Sequence, residues 1–269
     1  MLTVSKLNKT YPGGGVEAIR DVSFEVRAGE IICIVGPSGA GKTTLLRCLC
    51  GLLERSGGVI ELDGDVVDSP PAKMAAVFQD YSRSLMPWFS VERNVTLPLK
   101  NKRFSKAEET ERVGRALRAV GLDGFESSYP WQLSGGMQQR VAIARAIAYE
   151  PEVLVMDEPF ASVDAQTRSD LEDLVLDVQE SLGTAVLLVT HDIDEAVYLA
   201  DRVVVLSSRP SRVLDVVDID LPRPRDQVGT KAAPQFAEYR AHVLKLIRGV
   251  RDQRQSRSVE NRPSKNRGM

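Results

Sequence analysis

Gly36-Pro37-Ser38-Gly39-Ala40-Gly41-Lys42-Thr43-Thr44 follows an apolar run, Ile31 to Val35, and leads into a helical pattern, Leu45 to Leu53. Strand, glycine-rich turn and helix in that order make a P-loop. The glycines let successive backbone N–H groups converge on phosphate oxygens, where a Cβ would hinder the curl. The helix adds its N-terminal dipole to the same anion. Lys42 is placed to bridge the β- and γ-phosphates, and the Thr43 hydroxyl to ligate Mg²⁺.

Working outward, the N-terminal side reads as antiparallel strands, Leu2 to Leu7 and Ala18 to Val26, joined through Tyr11-Pro12-Gly13-Gly14-Gly15. Asp63-Gly64, between Gly58 to Leu62 and Val66-Val67, is a two-residue hairpin signal. From about 80 to 133 the chain turns polar and helical. Two apolar strands follow, Val153 to Met156 and Ala185 to Val189, ending at Asp157-Glu158 and Thr190-His191 and joined by an amphipathic crossover, Ala165 to Leu182. A further strand, Arg202 to Ser207, and a final helix, Gln235 to Val250, complete an α/β reading.

Ligands of an open α/β sheet sit outside the carboxyl ends of its strands, so both polar pairs are expected beside the P-loop. Adjacent side chains diverge on a strand. One of Asp157 and Glu158 can therefore hold Mg²⁺ through water while the other faces an attacking water. His191, at the neighbouring strand end, is placed to contact the γ-phosphate; His242, in the last helical pattern, has no such company. Leu133-Ser134-Gly135-Gly136-Met137-Gln138-Gln139-Arg140 is a second anion site: Ser134 is a good N-cap, and the glycines leave the N–H groups at the helix start unobstructed.

The 269 residues, 43% of them hydrophobic, suffice for one large domain or a domain with an insertion. A net charge of −2, from 35 basic and 37 acidic residues, offers nothing to nucleic acid. Three cysteines, Cys33, Cys48 and Cys50, flank the P-loop in apolar surroundings, which fits buried thiols in a reducing compartment. Neither a signal peptide nor a run of eighteen apolar residues is seen, so the expectation is a protein neither secreted nor membrane-spanning. Residues 251–269, basic and poor in apolar residues, are expected to form a disordered tail.

The order of P-loop, Gln79, LSGGMQQR, VLVMDE, Ala161-Ser162-Val163-Asp164 and His191 resembles the nucleotide-binding subunit of an ABC transporter over roughly residues 1 to 205. That resemblance implies a P-loop ATPase core with a mixed sheet, an N-terminal antiparallel β subdomain and an inserted α-helical subdomain. It divides the chain into 1–79 and 134–207 for the core, 80–133 for the helical subdomain and 208–250 for a C-terminal extension. It implies ATP and Mg²⁺ as cofactors and a head-to-tail homodimer, with ATP between one P-loop and the partner's Ser134-Gly135-Gly136. Tyr11 would then stack on adenine, and Gln79 would sense Mg²⁺ and the γ-phosphate. Glu158 would orient or deprotonate the attacking water, and Asp164 would communicate across the dimer. Met137 departs from the Gln most frequent at its place.

Phe78 to Val95 (FQDYSRSLMPWFSVERNV), with Leu221-Pro222-Arg223-Pro224-Arg225, resembles the ATPases of nitrate, sulfonate and taurine importers, Met86 standing where Leu is usual. The implied function is ATP hydrolysis driving import of a small anion. The implied partners are a transmembrane permease, held through the surface around Gln79 to Phe89, and indirectly an extracytoplasmic substrate-binding protein; the implied place is the cytoplasmic face of the cell membrane. Trp88 could equally pack into the helical subdomain's own core. A soluble ABC-type ATPase acting as an assembly or sensing switch is the alternative. A nucleotide-kinase type of phosphotransferase leaves residues 133 to 140 unexplained.

Overall fold

A computed structural model describes residues 1–79, 84–102, 104–161 and 163–260. Asp80 to Arg83 of the segment after Phe78, Ser162 of the loop before Asp164, and 261–269 of the basic tail lie outside the described residues.

Two sheets carry the fold. The first has the order β2-β1-β4-β5, from β1 (Leu2–Tyr11), β2 (Val16–Val26), β4 (Gly57–Leu62) and β5 (Asp65–Val66), all antiparallel. The β4–β5 turn is Asp63-Gly64 with φ of 52° and 88°, the left-handed pair that a two-residue hairpin requires. The second sheet has the order β10-β9-β3-β8-β7-β6. It comprises β3 (Ile31–Val35), β6 (Met74–Val77), β7 (Val153–Asp157), β8 (Ala185–Val189), β9 (Arg202–Leu206) and β10 (Val213–Asp218). Its neighbours are parallel except β10, which runs antiparallel to β9, so the sheet is mixed.

Strand period explains why β3 reads as continuous apolar residues. Ile31, Cys33 and Val35 face one core, with the helices that cover that side. Ile32 and Ile34 face the other, with α1 (Lys42–Leu49) and the antiparallel sheet. Both faces are covered, so neither needs polar residues. The helical layer holds α2 (Val91–Thr96), α3 (Lys106–Ala119) and α4 (Gly135–Ala148). Ser90 accepts the Arg93 N–H at the start of α2, and Ser105 and Glu108 form a capping box on α3. The crossover α5 (Ala165–Leu182) begins at the Asp164 cap and ends at left-handed Gly183.

The C-terminal part differs from the expectation. β10 had no counterpart in the sequence pattern, and it forms the edge of the core sheet, so the extension starts inside a strand pair. Between β8 and β9 lies α6 (Ile193–Leu199), and beyond β10 lie α7 (Gly229–Ala232) and α8 (Pro234–Glu260). The backbone of α8 continues ten residues past Val250 into the segment whose composition predicts disorder. Arg and Gln are good helix formers and neither Gly nor Pro interrupts 251–260.

Trp88 does not pack into the helical subdomain: it is 67% exposed. The half-buried Phe89 beside it lies under the Arg93 guanidinium, 4.5 Å from the ring centroid.

Candidate functional site

The P-loop leaves β3 at Gly36 and enters α1 at Lys42. Gly41 has a φ of 103° and a Cβ there would stand 3.2 Å from the Ala18 carbonyl oxygen, so both conformation and space select glycine. Lys42 is buried, its Nζ donating to the Gly36 carbonyl at 3.0 Å. Burial lowers its pKa, opposed by the Glu158 and then the Asp157 carboxylate. Thr43 is exposed at the helix start. Tyr11, at the end of β1 and 37% exposed, shares a 3.1 Å hydrogen bond with the Thr44 hydroxyl, which places its ring beside the P-loop.

Asp157 ends β7 and is 4% exposed, and its Oδ1 has no hydrogen-bond partner. Burial pushes its carboxyl up, countered first by the Thr43 hydroxyl. A buried carboxylate oxygen left without a donor, beside a threonine hydroxyl and an ammonium, is chemistry suited to a hydrated Mg²⁺. No group of three or more His, Cys, Asp or Glu among the described residues forms a metal cage. A magnesium held mainly by phosphate, water and Thr43 needs none.

Glu158 has a φ of 45°, and its N–H donates to the Val189 carbonyl at 2.8 Å. This turns its side chain away from that of Asp157. Its Oε2 lies 3.2 Å from His191 Nδ1 and accepts from Gln79 Nε2 at 3.3 Å. Three residues 33 to 112 positions apart thus meet at one carboxylate.

Ser134 caps α4 by accepting the Met137 N–H at 3.3 Å, with Ser134 and Gly135 exposed. Gly136 has a packing reason as well: a Cβ there would stand 2.4 Å from Thr167 Cγ2 in the first turn of α5. Among the described residues no hydrogen bond or ion pair joins Ser134, Gly135 or Gly136 to the P-loop. Asp164 caps α5, accepting the Thr167 N–H at 3.0 Å and its hydroxyl at 2.7 Å, and these bonds hold its carboxyl below the usual range.

The motif reading passed over residues around His191. The buried Thr190 hydroxyl donates to Glu195 Oε2 at 2.6 Å, and Asp192 caps α6. Arg168 of α5 reaches both acids. A Thr-His-Asp-x-x-Glu spacing at a strand-to-helix turn was the available signal.

Cavities also lie away from this cluster. One of about 510 Å³ is lined by Glu152, Val153 and Gly183 to Ala185, at the ends where β7 and β8 begin and so opposite the polar cluster. A cleft of about 340 Å³ opens between edge strand β6 and the helical layer, lined by Met74 to Ala76, Leu97, Pro98, Arg145 and Tyr149.

Residues 19–161 match the family model described as ABC transporter. The chain is 41% identical over 255 residues to the nitrate import ATP-binding protein NrtD of Synechocystis, covering 92% of this chain and 95% of that one. It is 40% identical over 251 residues to the taurine import ATP-binding protein TauB of Escherichia coli, covering 92% and 97%. Among solved structures, a dimeric post-hydrolysis state of the ATP-binding cassette MJ0796 bound to ADP and Pi superposes with a TM-score of 0.71 at 31% identity, over 81% of this chain and 99% of that one.

Proposed function

The chain belongs to the ABC transporter ATP-binding family, and on that premise we propose that it hydrolyses ATP as the energy-coupling subunit of an importer for a small anion of the nitrate, sulfonate or taurine kind. The observation that carries the chemistry is the meeting of Gln79, Glu158 and His191 at one carboxylate beside the P-loop.

The N–H groups of Gly36 to Thr44 receive the phosphates, and Lys42 exchanges its carbonyl contacts for phosphate oxygens. Glu158 accepts a hydrogen bond from the attacking water and orients it in line with the γ-phosphorus. As the water oxygen bonds to phosphorus, the bond to the β–γ bridging oxygen breaks and ADP departs. His191 and Lys42 donate to the charge that develops on the γ-phosphoryl oxygens. Thr43, Gln79 and Asp157 would hold Mg²⁺, which would supply neutralisation of the β- and γ-phosphate charge. Tyr11 offers its ring to adenine.

A homodimer completes the site. Ser38, Gly39 and Thr43 of the P-loop and Ser134 and Gly135 of the signature are exposed yet, among the described residues, unconnected within one subunit, as two halves of a head-to-tail pocket would be. The permease contact uses the exposed Trp88, an aromatic ring beside a proline suited to holding a partner's helix, and the cleft along β6. No helix among the described residues is long and apolar enough to cross a membrane, so attachment at the cytoplasmic face runs through that partner. The test is Glu158→Gln: phosphate release falls by a factor of about 100 or more while ATP binding persists. Normal turnover in that variant would overturn the assignment.

A further inference from the structure

Arg168 lies in the first turn of α5, its N–H donating to the Asp164 carbonyl at 2.9 Å. Its guanidinium crosses to the loop that carries His191: Nη1 is 3.5 Å from Asp192 Oδ2 and Nε is 3.6 Å from Glu195 Oε1. Both acids are tied to the histidine's chain neighbours. Thr190, immediately before it, donates to Glu195 Oε2 at 2.6 Å and accepts the Asp192 N–H at 3.0 Å. Asp192, immediately after it, accepts the N–H groups of Asp194 and Glu195 at 2.8 and 3.3 Å. The backbone on either side of His191 is thereby closed into one ring of hydrogen bonds, and Arg168 anchors that ring to α5.

Thr190 and Glu195 are buried, so the bond between them acts in a low dielectric where it is strong and costly to leave unmade. The preceding residue in the same helical turn, Thr167, lies close against Gly136, leaving no room for a Cβ there. One turn of α5 therefore abuts the start of the signature helix and grips the His191 loop.

We propose that Arg168 is a positioning residue for hydrolysis: by holding Asp192 and Glu195 it fixes His191 against Glu158 and links that contact to the turn that carries Asp164 and abuts Gly136. It touches no reacting atom. The inference rests on the reading of His191 as the γ-phosphate contact.

The chain has two histidines, so carbon-13 histidine labelling gives two ring signals, and His191→Gln assigns them. Arg168→Ala shifts the His191 signal and leaves His242 in place; Arg168→Lys, which keeps the cation, moves it less. In turnover, Arg168→Ala lowers kcat about tenfold with KM for ATP within about twofold, and adding His191→Gln brings no further loss. An unmoved His191 signal, or losses that multiply in the double variant, overturns the proposal. Should Arg168→Ala fail to fold, Arg168→Gln, which keeps part of the side chain and removes the cation, takes its place with the same expectations. A slow His191→Gln enzyme beside an unaffected Arg168→Ala one defeats this inference alone, whereas normal turnover by His191→Gln defeats the functional reading beneath it.

Discussion

Gly136 shows how a residue carries two constraints at once. The motif supplies one, an unobstructed N–H at a helix start. The fold adds the other, a threonine methyl where a Cβ would stand at 2.4 Å. Thr167 is β-branched and its hydroxyl is engaged by Asp164, so it cannot rotate aside without losing that bond. Gly136→Ala is expected to destabilise the protein by about 1–3 kcal/mol in urea unfolding, an overpacking cost; an unchanged midpoint would show that α4 and α5 separate freely. Arg225 makes a parallel case. Leu221-Pro222-Arg223-Pro224-Arg225 is legible in sequence as a family marker, but its Arg225 is buried and donates to the Tyr198 and Ala200 carbonyls at 2.8 and 2.9 Å, closing the C-terminal end of α6. Arg225→Ala leaves those carbonyls without their donor and should cost about 2–4 kcal/mol. Thermal unfolding measures it, and a shift too small to detect would deny Arg225 that capping role.

Elements that bury one face, or two, announced themselves. β3, β8 and α5 have the boundaries their apolar period predicts, β7 runs one residue further to Asp157, and Asp63-Gly64 makes its hairpin. β10 was not legible because Val213–Asp218 is an edge strand with only Val217 well buried, so its sequence carries little of the alternation that burial imposes. The polar ends of β7 and β8 told where chemistry would gather, since parallel register brings Asp157 opposite Val189. What periodicity could not tell is the pairing behind them, because the reach of Arg168 depends on how α5 and α6 pack. That pairing has a measurable titration. Burial raises the Glu195 carboxyl from 4.5 to about 7, against the pull of the Thr190 hydroxyl, with Asp192, Glu172 and Arg168 the charged groups facing it. Between those values the folded chain holds a proton the unfolded chain has released, so stability falls as pH rises from about 4.5 through 7. Glu195→Gln should flatten that part of the stability–pH curve by up to about 3 kcal/mol. Parallel curves for the two proteins would mean that Glu195 ionises at its ordinary value.

At the scale of the whole molecule, the proposed head-to-tail pairing has one subunit hold two half-sites. The P-loop, Gln79, Glu158 and His191 converge on the carboxyl ends of the sheet, and the signature lies at the start of α4 in the helical layer, with no bond to the P-loop among the described residues. Trp88 is exposed and a cleft opens beside β6, the surfaces proposed above for the permease contact. Purification of the tagged chain from detergent-solubilised membranes should therefore recover a multi-span permease, and Trp88→Ala should lower that recovery while leaving basal ATP turnover intact. Recovery of soluble partners alone would favour an assembly switch instead.

Whether ATP joins two copies of this chain is read by light scattering on the Glu158→Gln variant. The expected mass is near 29.6 kDa without nucleotide and about twice that with ATP and Mg²⁺, reverting with ADP. Ser134→Arg, which fills the second anion site, should stay at the lower mass. A single-subunit mass with ATP bound, or doubling that ignores Ser134→Arg, would contradict the head-to-tail pairing.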